Sequence, residues 1–353
     1  MMKDVSLIIF IDALPYYYKD TIVQILGGVN NNIETIPEIG YSSNQHCSIF
    51  AGKSPDDMGY FTDWTLSLDK KEKLKFYLKH NNIINPVVNY ILNKIKVAKG
   101  NIPLGMRDIF CNKGLYPLKD INVLSNLNHK FKKYKIYQTT KPDELNMLDE
   151  LSNKRINDHS LVALNSIDHL GHKVDMTSLE YKESMEGYLV KVQNVIANFK
   201  KTYGDDSRIT VLSDHGMTPI KQTLKLDLEN EFGKQSSDTY IYFLDSVVCK
   251  VWIFNNLESE ISAYLESLPG KVLDLSERVH YGMESKEFGD FIFILDSGYI
   301  FSPNYFGHSL RGDAQGMHGY MPSDFFQHGI LLTNYKIEAK RLLNREISDY
   351  IYI

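Results

Sequence analysis

The sequence predicts an α/β protein in which a mostly parallel central sheet is flanked by helices. Short apolar runs of strand length alternate along the chain with longer stretches whose apolar residues recur at helical spacing. Strands that alternate with helices are typical of a parallel sheet covered on both faces. Asp12, Asp168 and Asp214 each stand just past one of these runs. Open α/β sheets bind ligands beyond the carboxyl ends of their strands, so this placement also favours the class.

The predicted elements follow in chain order. Strands are predicted at the apolar runs Leu7–Ile11, Leu161–Leu164, Ile209–Leu212, Val251–Phe254, Asp290–Leu295 and Gly329–Leu332. Helices are predicted over Lys19–Leu26, over Ser43–Phe50 and between the second and third of those runs. The last helix is amphipathic, since its apolar residues recur at helical spacing: Met185, Tyr188, Leu189, Val192, Val195, Ile196 and Phe199.

Length and composition are ordinary for a soluble globular protein. The chain has 353 residues, of which 43% are hydrophobic and 24% charged. One elaborated domain or two domains would fit this length, and we expect a single catalytic domain over 1–353. Cys47, Cys111 and Cys249 are widely spaced and odd in number, which favours a reducing compartment over a disulfide framework. We expect Cys47 to be a buried structural thiol.

Targeting signals are not evident in the sequence. The N-terminal segment leads directly into the first predicted strand, and no uncharged apolar stretch is long enough to span a bilayer. We therefore expect no membrane span and a cytoplasmic location. The sequence pattern does not define an oligomeric state.

Four segments bring carboxylate and imidazole side chains to predicted strand ends or loops. They are Asp12, Asp168-His169-Leu170-Gly171-His172, Asp214-His215-Gly216 and Gly316-Met317-His318-Gly319-Tyr320. Residues of these types just past buried strands suit a catalytic metal site. Each residue alone has an ordinary structural explanation, whereas their joint occurrence favours metal binding.

A serine pair, Ser42 and Ser43, stands at the start of the second predicted helix. The backbone N–H groups at a helix start can receive an oxyanion or a phosphate. Serine is also a favoured N-cap residue, so this position alone has a structural explanation. The metal-ligand candidates favour a nucleophile instead, because metal coordination is one way to activate a serine hydroxyl.

The segment 65–135 departs from the average charge. It contains 15 Lys/Arg and 4 Asp/Glu, whereas the whole chain has a net charge of −5. We expect a basic, cap-like insertion over the site, which would favour an anionic substrate by electrostatic steering. A solvated helical face with lysines in water explains the charge equally well. Nucleic-acid binding is not expected, since no recognised binding motif accompanies the charge.

Together these motifs resemble the alkaline phosphatase superfamily, and most closely its type I phosphodiesterase / nucleotide pyrophosphatase branch. The resemblance covers most of the chain. Its motifs are the strand ending in Asp12, the block Ser42…Gly52-X-X-Pro55-X-X-X-Gly59, Asp168-X-X-Gly171-His172, Asp214-His215-Gly216 and His318-Gly319. It implies an alkaline-phosphatase-like sandwich with a cap insertion. Counting back from His46 to the place of the family's threonine nucleophile gives Ser42, and Ser43 is the alternative.

The resemblance also implies a ligand scheme for two metal ions. One ion would be held by Asp168, His172 and His318, and the other by Asp12, Asp214 and His215, with Ser42 as its fourth ligand. Three protein ligands and an open position are typical of catalytic zinc. A mixed nitrogen and oxygen set without thiolate fits two Zn²⁺ best, and Mn²⁺ or Fe are alternatives. The resemblance gives His46 a packing or supporting role on the helix behind the nucleophile.

Two departures from the family pattern concern the substrate. Nucleotide pyrophosphatases place an Asn after the nucleophile to help hold a phosphate oxygen, and ungapped counting puts Asp63 there. A carboxylate repels a phosphate oxygen unless it is protonated or turned away, so Thr62 is an alternative donor. The phosphate-binding arginine of the monoester-specific phosphatases has no evident match, and Arg107 and Arg311 are the candidates.

The resemblance predicts a metal-dependent phosphoric ester hydrolase. It would cleave a phosphodiester or pyrophosphate bond of a small anionic metabolite through a phosphoseryl-type covalent intermediate. A phosphomonoesterase, phosphonate hydrolase or phosphotransferase of the same superfamily is the alternative. The intact ligand set argues against a non-catalytic binding protein, and the missing Cys/Ser-X-Pro-X-Arg signature argues against a sulfatase.

Overall fold

The structure, a computed structural model, describes residues 4–67, 102, 106, 109–119, 121–139, 143–305 and 314–352. It divides into two compact units. The first comprises Met1–Ser54, Leu115–Pro219 and Pro322–Ile353, and the second comprises Pro55–Gly114 and Ile220–Met321. The predicted insertion 65–135 is therefore shared between the units, and residues 68–101 of it lie outside the described residues. Its role as a single cap, like the single-domain boundary, stays a prediction.

The strands are numbered in chain order. They are β1 (Ser6–Ile11), β2 (Asn31–Ile36), β3 (Trp64–Leu66), β4 (Phe110–Asn112), β5 (Lys135–Gln138), β6 (His159–Leu164), β7 (Arg208–Leu212), β8 (Thr218–Pro219), β9 (Gln222–Leu224), β10 (Tyr240–Leu244), β11 (Val248–Ile253), β12 (Gly270–Val272), β13 (Phe291–Leu295), β14 (Tyr299–Phe301), β15 (Gly316–Met317), β16 (Gly329–Thr333) and β17 (Arg341–Leu343). Each predicted strand is present, with ends shifted by a few residues.

The α-helices are numbered in the same way. They are α1 (Lys19–Ile25), α2 (Ser42–Ala51), α3 (Pro55–Met58), α4 (Ile121–Leu127), α5 (Glu144–Asn153), α6 (Ser166–Gly171), α7 (Leu179–Tyr203), α8 (Leu228–Phe232), α9 (Glu258–Glu266), α10 (Leu275–His280) and α11 (Ser348–Ile351). Short 3-10 turns lie at Tyr16–Tyr18, Pro117–Lys119, His129–Lys133, Lys286–Phe288, Phe325–Gln327 and Asn344–Glu346. None of the helices within the described ranges is long and apolar enough to cross a membrane.

A seven-stranded sheet forms the centre of the first unit. Its strand order is β17-β2-β16-β7-β1-β6-β5. β1 pairs in parallel with both β6 and β7, whereas β16 runs antiparallel to its neighbours β2 and β7. The predicted mostly parallel α/β sheet is confirmed.

Both faces of this sheet are buried, as the continuous apolar runs predict. In β1, Leu7, Ile9 and Ile11 belong to the core that contains residues of α1, α5 and α7. Ile8 and Phe10 point the other way and join the core that contains residues of α2, α4 and α11. Successive strand residues face opposite sides, so a strand buried on both sides must be apolar at every position.

The long helix α7 supplies much of the first core. Its N-terminus is capped by Ser178, whose side chain accepts a hydrogen bond from the backbone N–H of Tyr181 at 3.1 Å. It ends at Gly204, where φ is +101° and a side chain would be strained. The predicted amphipathic residues are all buried in it, together with Tyr181.

The second unit is built on a four-stranded sheet of order β10-β11-β13-β12 with antiparallel pairing throughout. Two predicted strands, Val251–Phe254 and Asp290–Leu295, belong here as β11 and β13 rather than to the mostly parallel sheet. An apolar run predicts a strand but does not specify its pairing partner, which depends on contacts remote in sequence.

Cys47 and Cys249 are buried free thiols and Cys111 is a partly exposed one.

Replacement of Leu189, which is fully buried in α7, by alanine should lower the free energy of unfolding by about 2–5 kcal/mol, because it removes packed methyl groups and leaves a cavity. Val190→Ala is the matched control, since Val190 is 50% exposed on the same helix. Denaturant unfolding measures both. Equal effects of the two substitutions would contradict the burial of this helix face.

Candidate active site

Three carboxylates follow three adjacent parallel strands. Asp12 follows β1, Asp168 lies four residues after β6, and Asp214 lies two residues after β7. Because β1 pairs in parallel with both other strands, the three residues lie at the same edge of the sheet. Asp214 is fully buried and Asp12 is 6% exposed. The three carboxylates, which were predicted from the strand ends, therefore lie in one unit and at one edge of its sheet.

His215 lies between two of these carboxylates. Its Nε2 atom is 3.5 Å from Oδ1 of Asp12 and 3.4 Å from Oδ2 of Asp214. Its Nδ1 atom is 2.8 Å from the carbonyl oxygen of Gly216. A carbonyl only accepts hydrogen bonds, so in the neutral ring this contact places the proton on Nδ1 and the lone pair on Nε2. The lone pair then faces the two carboxylates.

Ser42 begins α2 beside the same imidazole. Its Oγ atom is 3.2 Å from Nε2 of His215. Tyr41 precedes the helix in extended conformation, with φ −123° and ψ 174°. Ser42 is partly exposed whereas Ser43 is buried. Of the two serines, Ser42 therefore has the described contact to a predicted metal ligand.

His46 lies one turn further along α2 and is closer to the site than the sequence suggested. Its Nε2 atom is 3.7 Å from Oδ2 of Asp214, and ligand atoms of Asp12, His46 and Asp214 lie within 4.8 Å of one another. Burial lowers the pKa of His46 to about 3, and the electrostatic interactions with His215 and Lys119 contribute in the same direction. A neutral imidazole in this place can bind a metal ion or orient one of its ligands. His46 and His215 are therefore both ligand candidates.

The second predicted set is divided between the units. Asp168 and His172 lie on and just after α6, with Oδ1 of Asp168 3.2 Å from Nε2 of His172. His169 is exposed, and its Nδ1 lies 3.4 Å from Oδ2 of Asp168. His318 is a buried residue of the second unit that directly follows β15. Its place as the third ligand stays a prediction.

The residues of the first unit fit a divalent cation. Within the described ranges, neither ring nitrogen of His46 nor Oδ2 of Asp214 has a hydrogen-bond partner. Burial raises the pKa of Asp214, and His215 lowers it in part. Buried, converging acceptors are costly unless a positive charge compensates them. Nitrogen and oxygen ligands without thiolate suit Zn²⁺, Mn²⁺ or Fe.

Glu144 holds the segment that carries Asp168, a role for which no sequence motif exists. It is 1% exposed at the start of α5. Its two carboxylate oxygens accept the backbone N–H groups of Asn165 at 2.7 Å and Ser166 at 3.0 Å. Oε2 also accepts the hydroxyl of Tyr188 at 2.7 Å. The carboxylate thus fixes the turn from β6 into α6 at the position where the ligand helix begins.

Two motif glycines are required by close packing. A Cβ on Gly216 would lie 2.2 Å from the carbonyl oxygen of Phe326, which is backbone and cannot yield. A Cβ on Gly171 would lie 2.9 Å from Cγ of Met217. These contacts explain why small residues stand beside His215 and His172 in the two motifs.

The predicted substrate residues belong to the second unit. Thr62 is 1% exposed, and its hydroxyl accepts a hydrogen bond from the buried ammonium of Lys250, which also donates to the carbonyl of Trp64. Asp63 is partly buried, and its carbonyl accepts the backbone N–H of Lys113 at 2.7 Å. Arg107 and Arg311 lie outside the described residues. The substrate contacts of all four residues stay predictions.

Lys250 is a feature that sequence reasoning missed. It is 1% exposed, and its Nζ lies 3.8 Å from Oδ2 of the equally buried Asp245. Burial lowers the pKa of Lys250, and Asp245 partly offsets this. The sequence did contain a signal for this buried pair, since Lys250 lies inside the apolar run Val248–Ile253. A lysine in a buried strand requires a partner, because charged residues are rarely buried unpaired. This pair fixes the Thr62–Trp64 segment within the second unit.

The site motifs fall largely within one known protein family. The family model described as type I phosphodiesterase / nucleotide pyrophosphatase matches residues 41–321, which is well over half of the chain and includes most of the predicted site.

The chain belongs to this family.

Structures with the same fold include the murine ectonucleotide pyrophosphatase / phosphodiesterase 5, an inactive form in complex with AMP, at a TM-score of 0.63 and 13% identity. That match covers 98% of this chain and 93% of the other. Phosphonoacetate hydrolase from Sinorhizobium meliloti 1021 with phosphonoformate gives a TM-score of 0.61 and 14% identity, covering 98% and 94% of the two chains. At these identities the likeness shows the alkaline-phosphatase-like fold. No curated protein matches the chain.

Gly216→Ala should disrupt the Asp214–Gly216 turn and lower metal affinity, because its Cβ has no space beside Phe326. Gly187→Ala is the matched control: no atom lies within 4 Å of a Cβ there, and alanine should stabilise the helix by about 0.5–1 kcal/mol. Bound metal per chain and thermal unfolding are the measurements. Unchanged metal affinity in Gly216→Ala would contradict the described turn.

Glu144→Gln should weaken metal binding by about 10–100-fold, as expected for a residue that orients a metal ligand. In Gln an NH₂ group replaces one of the two carboxylate oxygens, and this donor cannot accept the backbone N–H that the oxygen accepted. Glu150→Gln is the control, since Glu150 is exposed on the same helix. Competition with a chromogenic chelator measures the affinity, and equal affinities of the two variants would refute the role of Glu144. Tyr188→Phe, which removes one of the three contacts, should give an intermediate effect.

Proposed function

We propose that this protein is a metal-dependent phosphodiesterase or pyrophosphatase that acts on a small anionic metabolite through Ser42. Family membership supports phosphoester hydrolysis as the activity. The observation that carries the finer proposal is the contact of Ser42 Oγ with His215 at 3.2 Å, next to the carboxylates of Asp12 and Asp214. A hydroxyl at the start of a helix and beside a candidate metal ligand supports a role as an activated nucleophile.

The proposed ligands form two sets. Asp12, Asp214 and His215 would hold one ion, and Asp168 and His172 with His318 would hold the other. Bound Zn²⁺, Mn²⁺ or Fe would neutralise developing charge on phosphoryl oxygens and promote deprotonation of serine or water. His46 would support the first set through Asp214, whose Oδ2 lies 3.7 Å from its Nε2.

The chain's own residues would act in two displacements. Ser42 Oγ would give up its proton to solvent and form a bond to phosphorus while the bond to the leaving-group oxygen breaks, and that oxygen would depart with the electron pair. Water would then attack phosphorus, the bond to Oγ would break, and one proton of the water would regenerate the serine hydroxyl. Most of the catalysis would come from positioning and charge neutralisation, which suits a phosphoryl transition state. Backbone N–H groups at the start of α2 would face the developing charge.

Phosphonate hydrolysis is the second candidate. Asp63, which ungapped counting puts where the nucleotide pyrophosphatases have Asn, weakens the case for a nucleotide diester and leaves room for this alternative. Phosphonoacetate hydrolase has the same fold, which is compatible with this alternative.

Hydrolysis of bis-p-nitrophenyl phosphate, compared with p-nitrophenyl phosphate and phosphonoacetate, tests these proposals. We expect the diester to be preferred, and Ser42→Ala to lower kcat by about 10³-fold or more, because the covalent route is lost. Ser43→Ala is the matched control and should retain activity, since its neighbour supplies the nucleophile.

Full activity of Ser42→Ala would exclude this serine, and loss of activity only in Ser43→Ala would transfer the role to that residue. Preference for phosphonoacetate over both nitrophenyl substrates would favour the second candidate.

A further inference from the structure

A cavity of about 530 Å³ lies at the sheet edge of the first unit. Its lining includes Asp12 and Asp168, which are candidate metal ligands. It is also lined by Gln138 and Thr139 at the end of β5, and by Lys119. Its volume is in the range of small-molecule sites, about 300–1,000 Å³.

The strand order determines how the chemistry of the lining changes from one end of this cavity to the other. β7, β1, β6 and β5 are consecutive in the sheet, and the first three are followed by Asp214, Asp12 and Asp168. β5 instead ends with the amide of Gln138 and is followed by the hydroxyl of Thr139. The site therefore changes from anionic ligand residues to neutral hydrogen-bonding groups toward β5. A phosphoryl group bound at the ligands would leave the rest of the substrate on the β5 side.

Lys119 supplies a positive charge to the cavity. It is the only lysine or arginine among the described lining residues. Its Nζ lies 4.2 Å from the ring centroid of Tyr116, which also lines the cavity, so a cation–π contact restrains the ammonium. The preceding Leu118 is 4% exposed and packs in the core that contains Phe10. The turn that presents Lys119 is thereby anchored to the sheet.

The acidic lining residues do not compete for this lysine. Glu144 already accepts two backbone N–H groups and the Tyr188 hydroxyl, and Asp12 and Asp168 are assigned to metal. The Lys119 side chain is exposed, so a ligand can reach it. A negatively charged group on the substrate would complete the charge balance at this end of the cavity.

Building on the proposed function, we propose that this cavity binds the non-reacting part of the substrate and that Lys119 recognises an anionic group on it. The shared chemistry is a carboxylate or a second phosphate. Gln138 and Thr139 would contact the neutral portion between that group and the reacting phosphorus.

Binding of non-hydrolysed diesters tests this proposal without relying on turnover. The zinc-loaded Ser42→Ala protein is titrated calorimetrically with phenyl 4-nitrophenyl phosphate and with its analogues carrying a carboxylate or a phosphonate at the para position of the phenyl ring. We expect at least one anionic analogue to bind about 3–10-fold more tightly than the parent, since an exposed lysine gives a modest gain. The analogue with the larger gain identifies the preferred anion.

Lys119→Gln, in the same background, should reduce that affinity to the parent's value. Lys135→Gln is the matched control: Lys135 is exposed and lies 5.0 Å from the ring centroid of Tyr137, but it does not line the cavity. The control should keep the full preference. Tyr116→Leu, which removes the ring but not the charge, should give a partial loss.

Equal affinities for the parent and both analogues would overturn the proposal, as would a preference that survives Lys119→Gln. Hydrolysis of the same diesters by the protein with Ser42 intact reports separately on the proposed function. If no diester is hydrolysed although the Lys119-dependent preference is present, the proposed function fails and the anion site stands.

Discussion

The rest of the structure depends on one constraint: three carboxylates are placed at one edge of a parallel sheet, where burial makes their charge costly. Asp12, Asp168 and Asp214 follow neighbouring strands, and burial raises the pKa of Asp214. Like charges in such a place are stable only with compensation. His215 directs Nε2 toward two of them because Nδ1 is committed to a carbonyl. A bound divalent cation would compensate these charges, and the proposed role of Ser42 would give that cation a catalytic use.

Hydrogen bonds and close packing around these carboxylates restrain the segments that carry them. Glu144 fixes the start of the helix that carries Asp168 with bonds to two backbone N–H groups. The close approach of Phe326 to Gly216 fixes the turn after His215. Rigid support of this kind matters because metal ligands must keep their geometry while charge moves on the substrate. The cavity toward β5 adds room for a substrate that is larger than a phosphate.

Much of this could be predicted from sequence, for identifiable reasons. Leu7–Ile11 and Ile209–Leu212 are strand-length runs of almost wholly apolar residues, as a strand buried on both faces requires, and the Asp residues that follow them mark the sheet edge. The pairing of β11 and β13 in a separate antiparallel sheet left no local pattern. Glu144 and Lys250 act through contacts with residues distant in the chain, Tyr188 and Thr62 among them, so no motif gives their roles. Whether His46 or His215 is the nitrogen ligand beside Asp214 depends on the distances from each Nε2 to Oδ2 of Asp214, which are 3.7 and 3.4 Å. A sequence pattern does not contain distances of this kind.

The most direct test of the central claim compares thermal unfolding of wild-type protein and Asp214→Asn, each with chelator and with added Zn²⁺. The account predicts that Zn²⁺ raises the Tm of the wild type, by the equivalent of about 2.7 kcal/mol at a hundredfold excess over Kd, and has little effect on the variant. With chelator present, Asp214→Asn should be at least as stable as the wild type, because a buried charge has been removed. An equal response of both proteins to Zn²⁺, or none in the wild type, would contradict the account.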